Sequence, residues 1–201
     1  TDDHSLRDSS VYGAKDVRTP NMDRLAAAGL AFDRAFVASP SCAPSRAALL
    51  TGLMPARNGA EANHSKPRAE IRKLPAYLKD LGYEVVSFGK VSHYQHTGDY
   101  GFDHFAHDKF HEDIAVSAAI AWLRARRDPR PLCLFVGTNW PHVPWPATGE
   151  GYAADAVTVP SNHVDTPRTR EARATYYAAV GRMDRELGEV FDAAQIGRAH
   201  V

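Results

Sequence analysis

Cys42-Ala43-Pro44-Ser45-Arg46-Ala47-Ala48-Leu49-Leu50-Thr51-Gly52 carries more chemical information than any other stretch of the chain. Pro44 suits the first turn of a helix, where its missing N–H is not needed, and this predicts Cys42 at the helix N-terminus. Free N–H groups and the positive end of the helix dipole favour an anion at that place. Arg46 lies one turn further on and can fold back toward it. Ala47, Ala48, Leu49 and Leu50 continue the helix as a buried apolar segment. Taken alone, Cys42 would be a buried free cysteine, the usual fate of an isolated one.

Around this stretch the chain alternates helix and strand as a parallel α/β sheet does. Thr19 and Pro20 fit N-cap and N1 of a helix over residues 21–28, closed by Gly29. Residues 30–37 alternate apolar and polar side chains as a short strand does. A helix is predicted over 74–81, ended by Gly82, a buried strand over 83–88, a helix over 112–127, a buried strand over 132–137 and a long helix over 170–194. Residues 54–73 and 139–168 are rich in Pro, Gly, Asn and His and too long for plain connections, which makes them loops over the strand ends, where open α/β sheets bind ligands.

With 201 residues, 44% of them apolar, the chain can bury a substantial core. Its 24 basic and 24 acidic side chains cancel, which argues against a nucleic-acid or polyanion surface. Cys42 and Cys133 give neither a zinc spacing nor a disulfide framework. No apolar run is long enough for a membrane span.

Three further places carry plausible chemistry. Asp2 and Asp3 are adjacent hard-oxygen donors, suited to Ca²⁺ or Mg²⁺ rather than zinc, unless they are simply solvated acids in a turn. Gly89-Lys90-Val91-Ser92-His93 follows the first buried strand. Asn139-Trp140-Pro141-His142-Val143-Pro144 follows the second, and its prolines restrict the backbone around His142. Trp140 and Trp145 could wall a sugar site or simply pack. His64, in Asn63-His64-Ser65, could line a substrate pocket or face water. The helical spacing of Tyr177, Val180, Met183, Leu187, Val190 and Phe191 reads as core.

The motif C-x-P-S-R-x-x-x-L-T-G resembles the signature of type I sulfatases, whose cysteine is oxidised to Cα-formylglycine. Asp2-Asp3, Gly89-Lys90-Val91-Ser92-His93, Tyr100-Gly101-Phe102-Asp103-His104-Phe105, Pro141-His142-Val143-Pro144 and the segment from Tyr176 to Asp184 resemble further family motifs, and Thr51 to Gly59 together with Tyr177 to Gly188 is similar to the heparan N-sulfatase (sulfamidase) group and its bacterial relatives. The resemblance implies an alkaline-phosphatase-like α/β/α sandwich with a mostly parallel central sheet, truncated at both ends. Residues 1–195 would be the N-terminal part of the catalytic domain, and 196–201, Ile-Gly-Arg-Ala-His-Val, a non-native, adapter-derived tail.

The same resemblance implies hydrolysis of a sulfate ester or N-sulfate on a sugar. Sulfate esters resist hydrolysis because anionic oxygens shield the sulfur, and a hydrated aldehyde that attacks and then collapses regenerates itself. The family's roles carry over as follows: Cys42 is the nucleophile, Arg46 contacts the nucleophile or the sulfate, Lys90 binds a sulfate oxygen, and His93 is the base, with His96 its competitor because two residues separate Lys90 from His93. His142 lies near the leaving group. Asp2 and Asp3, with residue 42, hold a divalent cation, usually Ca²⁺. A formylglycine-generating enzyme or anaerobic maturase is the implied partner, and a periplasmic or secreted location the implied setting. The family's second metal pair falls beyond residue 195, so the piece by itself is expected to hold half a metal site, with an open sheet edge, and to be inactive. Two other functions fit the residues: a phosphonate or phosphate monoester hydrolase of the same superfamily, and a non-catalytic carbohydrate-binding pseudoenzyme.

Overall fold

In a computed structural model, which describes residues 1–106 and 114–198, the chain divides into two compact units. One comprises Thr1–Arg34 and Asn139–Gln195, the other contains Ala35–Thr138.

The second unit is built on a parallel sheet of three strands in the order β2-β1-β3, where β1 is Glu84–Gly89, β2 His104–Ala106 and β3 Leu132–Gly137. Every residue of β1 is buried, as expected of a central parallel strand covered on both faces. The period-two alternation of the strand sends Val85 to one face and Val86 and Phe88 to the other. On Val85's face lie Leu50 of helix α2 (Cys42–Thr51), Leu74 and Leu78 of α4 (Leu74–Asp80), and Cys133 and Phe135 of β3. On the other face Ala115, Ala119 and Trp122 of α5 (Ala115–Ala125) meet Val86, Phe88, Leu134 and Val136. Helices on both faces make this an α/β/α arrangement. A short helix α3, Pro55–Asn58, follows α2.

At the top of the sheet two glycines bring β1 and β3 unusually close. A Cβ on Gly137 would strike the backbone of Lys90 and Val91, and one on Gly89, whose φ is +71°, would strike the Gly137 carbonyl. The Lys90 amide donates to Gly137 O at 2.8 Å.

The first unit gathers around α6, Pro167–Arg198, whose buried Ala174, Tyr177, Val180 and Met183 pack with Val17 and Val157. Helix α1, Pro20–Ala28, begins at the predicted place, but its Thr19 does not cap it through the side chain. The Thr19 hydroxyl is taken up by Ser10, whose amide donates to it at 3.0 Å. Asp184 of α6 supplies the cap instead, accepting from the amides of Asn21 at 3.0 Å and Met22 at 2.9 Å. Gly188 is close enough to Asn21 that any Cβ there would collide with the Asn21 amide group.

The strand expected over residues 30–37 is absent. Its alternation meets no neighbouring strand among the described residues, and the apolar members stand in the open, Leu30 84% and Phe36 90% exposed. The helix expected from residue 112 is seen from Ala115; its expected start lies outside the described residues. The long helix continues through Arg198, and residues 199–201 of the expected tail lie outside the described residues.

Candidate active site

Cys42 is the first residue of α2, with Ser41 at the N-cap in extended conformation. Pro44 thus falls in the first turn, as its chemistry demands. The Cys42 thiol, half-buried, donates to Asn63 Oδ1 at 3.4 Å. Arg46, one turn along, reaches toward the end of β1 rather than only back along its own helix: its Nη1 donates to the carbonyls of Lys90 and, at 3.2 Å, of Val91. It therefore ties the Cys42 helix to the loop that carries Lys90 and His93.

In that loop Lys90 is only 2% exposed and His93 7%. The Lys90 ammonium lies 4.9 Å from the centre of the Tyr94 ring, a cation–π contact. Burial first, and then the neighbouring His64, Lys90, His96 and Arg46, push the His93 imidazole down to about 4, so it is neutral near pH 7. His64 stands edge-on to it, ring centres 4.6 Å apart. His96 is turned to other tasks: its Nε2 donates to the His64 carbonyl at 3.0 Å and its Nδ1 lies 3.8 Å from Asp99. Cys42, Arg46, Lys90, His93 and His64 thus all belong to the sheet-bearing unit.

The remaining candidates lie in the other unit. Asp2 is buried, and its amide donates to Trp140 O at 3.2 Å. Asp3 is exposed and has a left-handed backbone, φ +59°. Tyr176 Oη donates to the Asp3 carbonyl at 3.2 Å. His142 Nε2 is 3.6 Å from Asp3 Oδ2, and Nδ1 donates to Val143 O at 2.6 Å. In the neutral ring Nε2 is therefore a lone pair. Trp140 and Trp145 pack against the core of α6, with Arg182 5.2 Å over the Trp140 ring and the Trp145 indole N–H donating to Pro141 O at 2.8 Å.

Asp2 and Asp3 are the hard carboxylate donors that Ca²⁺ or Mg²⁺ prefers, so their chemistry fits such an ion. Among the described residues no group of three His, Cys, Asp or Glu could hold a metal. The two carboxylates supply part of a shell that for Ca²⁺ takes about six to eight oxygens.

Asn63 was not foreseen as a site residue, since a lone Asn in a polar loop carries no signal of its own.

Residues 1–198 match the sulfatase family model. The chain belongs to the sulfatase family. It is 33% identical over 196 residues to an ulvan-active sulfatase of Formosa agariphila, covering 94% of this chain and 39% of that protein. To the human N-sulphoglucosamine sulphohydrolase it is 29% identical, covering 91% of this chain and 43% of the relative. The chain therefore spans about two-fifths of the length of these curated relatives. The crystal structure of Ps i-CgsB in complex with k-i-k-neocarrahexaose superposes with a TM-score of 0.75 at 21% identity, over 98% of this chain and 54% of that one. The fold is that of the alkaline-phosphatase-like sulfatases. No helix among the described residues is long and apolar enough to cross a membrane.

Proposed function

We propose that this chain carries the nucleophile-bearing part of an enzyme that hydrolyses sulfate esters or N-sulfates of sugars. The observation that carries the reading is the cluster at the end of β1, where Arg46 joins the Cys42 helix to a loop holding a buried lysine and a neutral, buried histidine. Two of the named relatives act, by their names, on ulvan and on N-sulphoglucosamine, which points to a sulfated sugar as substrate.

Oxidised to formylglycine, residue 42 would supply a hydrated aldehyde, a nucleophile that regenerates itself once sulfate leaves. A Ca²⁺ or Mg²⁺ ion on Asp2 and Asp3 would supply Lewis-acid polarisation. The chain's own groups do the rest. The α2 N-terminus and Lys90 present fixed positive charge to the sulfate oxygens, which is worth most where water is excluded. Arg46 holds the two elements in register. His93, neutral near pH 7, accepts a proton. His142, its Nε2 3.6 Å from the Asp3 carboxylate, would deliver a proton to the departing oxygen or nitrogen.

The full-length protein, co-expressed with a formylglycine-generating enzyme, tests this directly. The Cys42 peptide should lose about 18 Da, the difference between CH₂SH and CHO in the activation of this nucleophile. Sulfate should then be released from sugar sulfates, and Cys42→Ala should release none. A Cys42 that alkylates completely beside an active maturation enzyme, together with phosphate release exceeding sulfate release from matched esters, would overturn the reading.

A further inference from the structure

Residues 62–65 form a tight turn in which the Ser65 amide donates to Ala62 O at 3.2 Å, with Asn63 and His64 at its two central positions. His64 occupies the second of these with φ +64°. That is the place where a turn of this kind calls for glycine, or failing that asparagine, because a Cβ is crowded by the backbone. A histidine there is uncommon, and backbone conformations of this kind held in place by their surroundings cluster where a side chain has a task.

The surroundings do hold it. His96 Nε2 donates to the His64 carbonyl at 3.0 Å, and the His64 amide donates to Asn63 Oδ1 at 3.0 Å. The same Asn63 oxygen receives the Cys42 thiol. The His64 ring, carried by this fixed backbone, meets the His93 ring edge-on at 4.6 Å. One turn thus touches the side chain of residue 42 and the ring of His93, and a histidine from the β1 loop pins it.

We propose that His64 is a positioning residue, held in a left-handed backbone so that its ring fixes the orientation of the His93 imidazole, while Asn63 of the same turn fixes the side chain of residue 42. His64 in this account touches no substrate, and His96, rather than competing with His93 as base, holds the turn. The proposal rests on the reading of His93 as proton acceptor given above. It also accounts for a backbone conformation that stability alone would have assigned to glycine.

The test compares His64→Gly, His64→Asn and His64→Phe in the full-length protein. Glycine relieves the backbone, so a turn with only a structural task would leave the Gly variant as active as the parent and at least as stable. A positioning role separates the two readouts: Tm equal or higher, but kcat for sulfate release lower by at least about tenfold, with KM little changed. His64→Phe, which keeps a ring against His93, should recover part of that loss. The second arm needs no turnover: in protein with Cys42 unoxidised, the NMR titration of the His93 ring should rise above about 4 in the Gly and Asn variants, since burial depresses it most, the His64 ring is part of what buries it, and His64 is the next cause of its depression. Parent-like kcat in His64→Gly with an unmoved His93 titration overturns the proposal, as does a loss of kcat matched by a loss of Tm. A parent that releases no sulfate from any ester strikes the sulfatase reading instead, and the ring titration still decides whether His64 sets the His93 ring.

Discussion

The Cys42 cluster and the Asp2–Asp3 pair are both groups of polar side chains at the ends of elements, yet they are held in different ways. Around Cys42 the backbone itself does the work: α2 starts at Cys42, two glycines let β1 and β3 converge beneath Lys90, and Arg46 clamps helix to loop. At the pair near the N-terminus, Tyr176 Oη donates to the Asp3 carbonyl, the Asp2 amide donates to Trp140 O, and His142 Nε2 lies 3.6 Å from the Asp3 carboxylate. One carboxylate is buried and the other exposed. The first arrangement is built into the approach of backbone elements, whereas the second offers carboxylate donors whose final geometry a bound ion would set.

If that contrast is right, crowding the sheet ends should be the most damaging change. Gly137→Ala puts a methyl into the backbone of Lys90 and Val91, where no flexible side chain can give way, and should cost about 4 kcal/mol or more. Gly13→Ala in the other unit meets open space and bears only its φ of +92°, a cost of about 1 kcal/mol. Urea denaturation of the two variants measures the difference. Equal losses would mean that the strand-end approach is not what holds the Lys90 loop.

The next effect is on turnover. Lys90→Met keeps the buried stem and removes the charge, and should lower kcat/KM for sulfate release by roughly 2–4 kcal/mol, as removal of other preorganised electrostatic groups does. Extra Ca²⁺ should not restore it. Asp3→Ala should weaken metal binding, so its activity should climb again as Ca²⁺ is raised. Recovery of Lys90→Met, or none for Asp3→Ala, would erase the distinction between a fixed charge and a ligand-completed one.

What the sequence made legible follows the same line. Local signals placed α2, β1 and β3, because Pro44 marks a first turn and the runs Val85-Val86 and Leu132 to Val136 are continuous apolar strands. The places of Lys90 and His93 just after β1 and of His142 just after β3 followed from the motifs that carry them. Long-range pairing was invisible. Residues 30–37 read as a strand from alternation alone, but a strand exists only against a partner. Thr19 read as a cap, but Asp184, 165 residues later in the chain, outcompetes it with a full carboxylate. Arg46 was expected to turn back on its own helix, and nothing in its spacing points to the carbonyls of Lys90 and Val91.

That long-range cap gives a smaller effect. Asp184→Ala removes the acceptor of two α1 amides and of the Asn21 side-chain N–H at 3.0 Å, and should cost about 1–2 kcal/mol, the range for lost helix caps. Thr19→Val, by contrast, should leave the α1 end in place, since the Thr19 hydroxyl does not cap it. Protection of the Asn21 and Met22 amides in hydrogen exchange distinguishes the two.

The smallest effect is the pH signature of His93, and its sign is fixed. In the unfolded chain this imidazole takes up a proton near its ordinary 6.5; in the folded protein it does so only near 4, chiefly because it is buried and then because His64 and Lys90 lie beside it. Between these two values the unfolded state binds more protons, so stability falls as pH drops from 6.5 toward 4 and is unaffected by this group above 6.5. Turnover limited by His93 as proton acceptor should stay level from neutral pH down to about 5 and fail as pH passes through about 4. His93→Gln should abolish the first trend: its urea midpoint, compared with the parent at pH 7 and pH 5, should change less. A parent whose acid limb sits at its ordinary 6.5 would show a solvated histidine, and with it a cluster no more preorganised than the Asp2–Asp3 pair.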